Sequence, residues 1–207
     1  MTKKPKLGTY TGLKKRLLEK HDPNRIFILL KKATSFPFTF VDLFCGAGGL
    51  TEGFTNASYN AVSSVEISKI ASETHLFNFP DCNHFCGDIA EYDATKFTNG
   101  VEIDLVIGGP PCQGFSVAGK RDPNDPRNKM FNQFVRVVDE LKPHYFVMEN
   151  VPGIITMKGG TVITSIREAF EKIGYITSIA ILEAAEFGVP QLRSRAILIG
   201  NRHSLLN

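Results

Sequence analysis

Phe38-Thr39-Phe40-Val41-Asp42-Leu43-Phe44-Cys45-Gly46-Ala47-Gly48-Gly49 is a short apolar, β-prone run that breaks into glycines. It reads as a buried strand entering a tight turn and then a helix. The same texture recurs downstream. Residues 61–65 read as a strand and 69–77 as a helix; 104–107 read as a strand ending in Gly108-Gly109-Pro110-Pro111. Residues 131–141 read as a helix, 145–148 as a strand ending in Glu149-Asn150, and 162–173 as a helix, with strands near 175–182 and 195–200. Short apolar strands alternating with helices predict a doubly wound α/β fold, with a mostly parallel sheet covered on both faces.

Ligands of such sheets bind beyond the carboxyl ends of the strands. The unusual residues stand there: the 45–49 turn, Glu66, Asp88, the segment 110–112 and Glu149.

Upstream of Phe38 the character changes. Apolar and basic residues recur at helical spacing over 11–20 and 24–33, with Asp22-Pro23 between them, and residues 1–8 read as irregular. Residues 1–32 hold ten Lys/Arg against Glu19 and Asp22, a net +8 in a chain of net +3. A basic arm supports contact with a polyanion, and it equally describes a solvated amphipathic helix. The expected organisation is a basic helical extension over 1–37 and a ligand-binding, catalytic domain over 38–207. At 207 residues the chain suits one sizeable domain. No apolar run approaches the roughly 20 residues that cross a bilayer, and the N-terminus lacks the apolar region of a signal peptide.

Four cysteines occur, Cys45, Cys82, Cys86 and Cys112. Cys82 and Cys86 have the spacing of half a zinc site, with His84 and His75 nearby, but no second Cys/His pair completes it. Buried or half-buried thiols without a metal, in a reducing intracellular setting, are the expectation.

Gly46, Gly48 and Gly49 after the first strand let the backbone approach a ligand closely. Their order departs from G-x-G-x-x-G, so a dinucleotide pyrophosphate is not specifically indicated. Glu66 ends the next strand, where an acid accepts hydrogen bonds from both ribose hydroxyls. Asp88 ends the third strand, within reach of an adenine amino group, and Phe44 offers a ring for the adenine face. Each has an ordinary alternative: Phe44 as core, Asp88 as a helix N-cap, Glu66 as a helix-start acid. Together they favour a nucleoside cofactor, with S-adenosylmethionine and NAD both open.

Gly108-Gly109-Pro110-Pro111-Cys112-Gln113-Gly114-Phe115-Ser116 carries the chemistry. Two prolines pre-set φ and stiffen the turn that presents the thiol of Cys112, which suits covalent catalysis. Glu149 offers a carboxyl group suited to work as an acid beside that thiol. In Gln191-Leu192-Arg193-Ser194-Arg195 the two arginines alternate on an expected strand, facing one side as a pair for phosphate or base oxygens.

The runs 40–49, Pro110-Pro111-Cys112-Gln113, Glu149-Asn150-Val151 and 191–195 resemble, in that order, the motifs of the DNA cytosine-C5 methyltransferase family, over about 38–200. The resemblance implies a Rossmann-like fold that binds S-adenosylmethionine. Phe44, Glu66, Asp88, Ile89 and Pro110 would contact that cofactor, with Gly46, Gly48 and Gly49 beneath its methionine moiety. Cys112 would be the nucleophile and Glu149 would hold the edge of the pyrimidine. Arg195 would reach the base carbonyl oxygen, and Gln113, Ser116 and Arg193 would contact DNA. The target base would have to leave the duplex. Residues 115–129, rich in Gly, Ser, Asp and Pro with Lys120, Arg121, Arg127 and Lys129, read as a loop that orders on DNA.

Family members usually continue with a variable target-recognition region and a final Asn/Gly-rich motif, neither of which appears before Asn207. The expectation is therefore a truncated piece or one subunit of a split enzyme, weak alone and completed by a second chain. The alternatives are a tRNA cytosine-C5 methyltransferase of the same fold and a non-catalytic, methyltransferase-like regulatory subunit. The second would be expected to lack Cys112 or Glu149. An amino-methyltransferase would need an Asp/Asn-Pro-Pro-aromatic loop, which Gly109-Pro110-Pro111-Cys112 does not supply, and a nicotinamide enzyme gives Cys112 no role.

Overall fold

The computed structural model describes residues 38–111 and 129–202. The helices expected over 11–20 and 24–33, and residues 115–128 of the expected loop, lie outside the described residues.

Five strands run parallel: β1 (Thr39–Leu43), β2 (Asn60–Glu66), β3 (Asn83–Cys86), β4 (Leu105–Gly108) and β5 (Tyr145–Asn150). With β6 (Tyr175–Glu183) and β7 (Ser194–Arg202) they form a seven-stranded sheet of order β3-β2-β1-β4-β5-β7-β6, in which β7 is antiparallel to both neighbours. The helices are α1 (Gly49–Asn56), α2 (Lys69–Asn78), the short α3 (Ala94–Phe97), α4 (Lys129–Leu141) and α5 (Thr161–Lys172). The mostly parallel α/β sheet expected from the alternation is present. What the alternation left open is that the last strand inserts between β5 and β6.

Strand order reverses at the β1–β4 pair, the switch point at which such sheets open a crevice. At that point β4 comes so close to β1 that a Cβ on Gly108 would stand 2.2 Å from the Leu43 carbonyl oxygen. Only glycine fits there, and the two strand ends that carry the glycine turn and the Pro-Pro segment are held together.

The two-residue period of β1 divides the core between the faces. Val41 and Leu43 join Val106, Phe146 and Met148 under Phe134, Val137 and Val138 of α4 and Ile166 and Phe170 of α5. Phe40 packs with Ile107 on the other face, against Leu50 and Phe54 of α1. Over β5 and β7 that second face carries Tyr145 and Ile199 at 48% and 46% exposure.

Beneath β2 and β3, Tyr92 is sealed between Phe85 and Phe97, and its hydroxyl donates to Ser63 Oγ at 2.9 Å. Burial pushes its phenol up from 10.0 to about 12. Because the folded state holds this proton more tightly, its contribution is complete below pH 10 and is lost as pH rises towards about 12. Two units correspond to about 2–3 kcal/mol. Tyr92→Phe should lose roughly 0.5–1.5 kcal/mol at neutral pH, at the low end because Ser63 keeps its bond to the Asn83 carbonyl. It should also flatten the alkaline fall. Denaturant midpoints across the alkaline range would show this, and parallel curves for parent and variant would refute it.

Candidate active site

The first strand ends in a backbone that most residues avoid. Phe44 has φ 58°, in the left-handed region, although it is not glycine. A bulky residue held there marks a strained turn, and such strain gathers at ligand sites. The Phe44 ring is half-buried and packs against the edge of the core. Four residues on, Gly48 (φ 99°) donates its N–H to the Cys45 carbonyl at 2.9 Å and caps α1, which begins at Gly49. A side chain at Gly48 would stand 2.3 Å from the Phe79 ring, so the turn lies tight against the chain after α2.

Glu66, the last residue of β2, reaches back across the crevice. Its Oε2 accepts from the Gly46 N–H at 2.9 Å and its Oε1 from the Ser68 N–H at 2.8 Å. Each carboxylate oxygen has a second lone pair, so both can still accept from a ligand hydroxyl while the backbone holds them in place. The glycine turn and the acid expected to serve one cofactor are therefore joined by a hydrogen bond.

Asp88 follows β3 and caps a 3-10 turn over Ile89–Glu91, accepting from the Ala90 N–H at 2.9 Å. The capping alternative foreseen for Asp88 is what its Oδ1 does. Ile89 is 3% exposed and its side chain belongs to the core, so this residue can meet a ligand only through its backbone. Arg136 of α4 fixes this turn from below. Its Nη2 donates to the carbonyls of Ile89 at 2.8 Å and Tyr92 at 3.2 Å, and its Nη1 pairs with Glu140 at 2.7 Å. No sequence signal pointed to Arg136, which is distant in sequence and sits on an otherwise amphipathic helix.

Two strands further along, the described residues expected to serve the chemistry come together. Gly109 lies so close to Glu149 that a Cβ on it would be 3.1 Å from Glu149 Oε2. Asn150, buried at the end of β5, donates from Nδ2 to the Pro110 carbonyl at 2.9 Å, and its Oδ1 accepts from the Val151 N–H. Pro110 and Pro111 line a small cleft with Phe131, Met148, Ile154 and Ile166. The backbone that enters Cys112 is thus anchored beside Glu149. Cys112, Gln113 and Ser116 themselves lie outside the described residues.

Glu149 Oε1 accepts from Arg195 Nε at 2.7 Å, with both side chains about three-quarters buried. The register explains the pairing: Glu149 stands opposite Ile197 on antiparallel β7, and Arg195 is two residues along on the same face. Arg193 is not on the strand that was expected to carry both arginines. β7 starts at Ser194, and Arg193 sits one residue before it, exposed. Glu183, at the end of β6, ends the expected alternation: it accepts from the Arg193 backbone N–H and, at 2.6 Å, from the Ser194 hydroxyl. The structure therefore brings together Glu149, Asn150, Arg195 and the Gly109–Pro111 backbone, and separately Phe44, Gly46, Gly48 and Glu66, on strand ends that adjoin at Gly108.

Among the described residues no helix is long and apolar enough to cross a membrane. Residues 38–207 match the family model for C-5 cytosine-specific DNA methylases. The chain is 45% identical over 170 residues to the Type II methyltransferase M1.HphI of Haemophilus parahaemolyticus, over 79% of this chain and 46% of that relative. It is 42% identical over 177 residues to the Type II methyltransferase M.AquIA of Picosynechococcus sp., over 78% of this chain and 71% of that relative. Among solved structures, a DNA modification methyltransferase encoded within a prophage (E. coli) superposes with a TM-score of 0.71 at 36% identity, over 82% of this chain and 48% of that one. The chain thus spans less than half the length of M1.HphI. The glycine turn, the Pro-Pro segment and the Glu149-Asn150 strand end all fall inside the matched region, and the chain belongs to the family of C-5 cytosine-specific DNA methylases.

Proposed function

We propose that this chain carries the catalytic half of a transfer of a methyl group from S-adenosylmethionine to C5 of cytosine in DNA. One observation carries the reading: Glu149 and the backbone leading into Cys112 meet at neighbouring strand ends, beside the β1–β4 switch point where Glu66 grips the glycine turn. The donor set fits the cofactor. Glu66 can take the ribose hydroxyls, Asp88 stands at the next strand end for an adenine amino group, and Phe44 offers a ring for the adenine face.

S-adenosylmethionine, when bound, supplies the methyl group in electrophilic form. Cytosine C5 is a poor nucleophile until something adds to C6. Addition of the Cys112 thiolate at C6 breaks the C5–C6 π bond and places that electron pair on C5. Glu149, hydrogen-bonded to N3 and the 4-amino group, offsets the charge that develops on the ring. Arg195 stands at the carbonyl side and holds Glu149 in place before the base arrives. C5 takes the methyl group, a base removes the C5 proton, and the C6–S bond breaks to return Cys112. The base must be flipped out of its duplex, at a cost of a few kcal/mol. A second polypeptide segment that recognises the DNA sequence, supplied in the same chain or by a partner subunit, completes the enzyme inside the cell.

DNA containing 5-fluorocytosine tests the reading, because fluorine at C5 blocks the elimination. A preparation that methylates DNA should form a denaturant-resistant protein–DNA adduct in the presence of the cofactor. Cys112→Ser should abolish it. An adduct that survives in Cys112→Ser, or methylation of RNA cytosine in preference to DNA, would end this reading.

A further inference from the structure

Beneath the glycine turn lies a buried polar cluster with no part in the chemistry above. Three buried side-chain atoms among the described residues have no hydrogen-bond partner: Asp42 Oδ1, His75 Nδ1 and His84 Nε2. Asp42 and His75 are fully buried, so each missing partner leaves a desolvated polar atom uncompensated. The two imidazoles stack with ring centroids 4.9 Å apart.

The remaining nitrogens are engaged in a way that assigns the tautomer of His75. With Asp42 ionised, Thr51 Oγ1 gives its proton to Oδ2 at 2.6 Å and accepts from His75 Nε2 at 3.1 Å. That leaves a lone pair on His75 Nδ1, aimed at no protein donor. His84 Nδ1 meets Ser64 Oγ at 2.8 Å, and the same hydroxyl is within hydrogen-bonding reach of Cys45 and Cys82. Cys45 Sγ and one ring nitrogen from each of His75 and His84 all lie within 4.8 Å of one another. A carboxylate–hydroxyl–imidazole chain behind one ligand and a hydroxyl behind another are what metal-binding histidines use to fix their ring orientation.

We propose that Cys45, His75 and His84 form a binding site for a thiophilic divalent metal ion of the zinc class. One thiolate and two imidazoles match the donor preference of zinc, and they come from three elements: the turn after β1, helix α2 and strand β3. Binding forms a metal–sulfur bond, and the Cys45 thiol proton passes to solvent. The expectation of buried or half-buried thiols holds for Cys45 and Cys82, which is bonded to Ser64, but not for Cys86, which is exposed. A metal here would tie Cys45, the residue before Gly46, to α2 and β3, and so brace the turn that Glu66 holds.

The test is titration of the chelator-stripped chain with Co²⁺ and then Zn²⁺. Expected are equimolar uptake, thiolate-to-cobalt charge-transfer absorption in the near ultraviolet, its bleaching by Zn²⁺, and a thermal midpoint raised by several degrees. The charge-transfer band should vanish in Cys45→Ser, weaken in His84→Gln and persist in Cys86→Ser. X-ray absorption of the zinc-loaded parent reads the ligands without any variant: sulfur at about 2.3 Å and nitrogen at about 2.0–2.1 Å. No stoichiometric uptake, a shell of oxygen alone, or a band that persists in folded Cys45→Ser or disappears in Cys86→Ser overturns the proposal.

Discussion

Glu149→Gln is expected to lower the rate of methyl transfer by roughly 10²–10³-fold while leaving cofactor affinity within a few-fold of the parent. The amide is nearly isosteric and can still donate to N3 and accept from the 4-amino group. What it loses is the acidic proton and the charge that strengthens those bonds as the ring becomes electron-rich. The substitution also removes the charge pairing across the 2.7 Å contact to Arg195, leaving that largely buried guanidinium without its carboxylate. Arg195→Gln should then be non-additive with it, because either single change already dissolves the pair. Cofactor binding should be spared, since Glu66 and the glycine turn hold each other without help from β5. Rates measured on cytosine-containing DNA, with calorimetric binding of S-adenosylmethionine alongside, separate the effects. A Glu149→Gln protein that methylates within a few-fold of the parent would remove Glu149 from the mechanism.

Much of the architecture was legible because it is local. A run of apolar residues closed by glycines, as at 38–49, declares a strand, a turn and a helix without reference to anything else in the chain. The strand ends could be ranked as a site because doubly wound sheets bind ligands there. What escaped the sequence depends on register and on contacts between distant residues. The face that Arg195 shares with Glu149 follows from the antiparallel register of β7 on β5, which no local pattern encodes. The start of β7 escaped for a similar reason: alternation over 193–195 was legible, but the strand begins at Ser194, where Glu183 takes the Arg193 N–H and the Ser194 hydroxyl. Asp42 and Thr51 read as ordinary residues of a strand or helix, and His75 and His84 stood out only for lying near Cys82 and Cys86. Only the packing of α1 and α2 on the sheet makes them one buried cluster. Asn150 is intermediate, since its place in the Glu149-Asn150-Val151 run was noticed, while its grip on Pro110 had to be seen.

Phe170→Ala should cost about 3–5 kcal/mol of folding stability, the largest loss expected of any substitution considered for this chain. Phe170 is fully buried on α5 and stacks on Phe146 of β5 with ring centroids 3.9 Å apart. It also receives the edges of Phe131 at 5.6 Å and Phe134 at 6.1 Å from α4. Alanine removes the ring on which three others rest, so the loss combines transfer free energy, an incompletely collapsed cavity and about 0.5–1.5 kcal/mol of aromatic geometry per pair. Against a typical total of about 5–15 kcal/mol, a folded population would survive at low temperature but not with a wide margin. Phe170→Leu, which refills most of the space, should recover more than half of the loss. The cavity would open directly under β5, three residues from Glu149 in the chain, whereas Glu66 and the glycine turn lie beyond β4 and β1. At temperatures where the variant stays folded, methyl transfer should therefore fall while cofactor affinity holds, as the strand that presents Glu149 and Asn150 loosens. Urea unfolding of both variants, followed by fluorescence or circular dichroism, gives the stability numbers. A loss below about 1 kcal/mol for Phe170→Ala would mean that α5 does not carry the weight on β5 that its stacked rings imply.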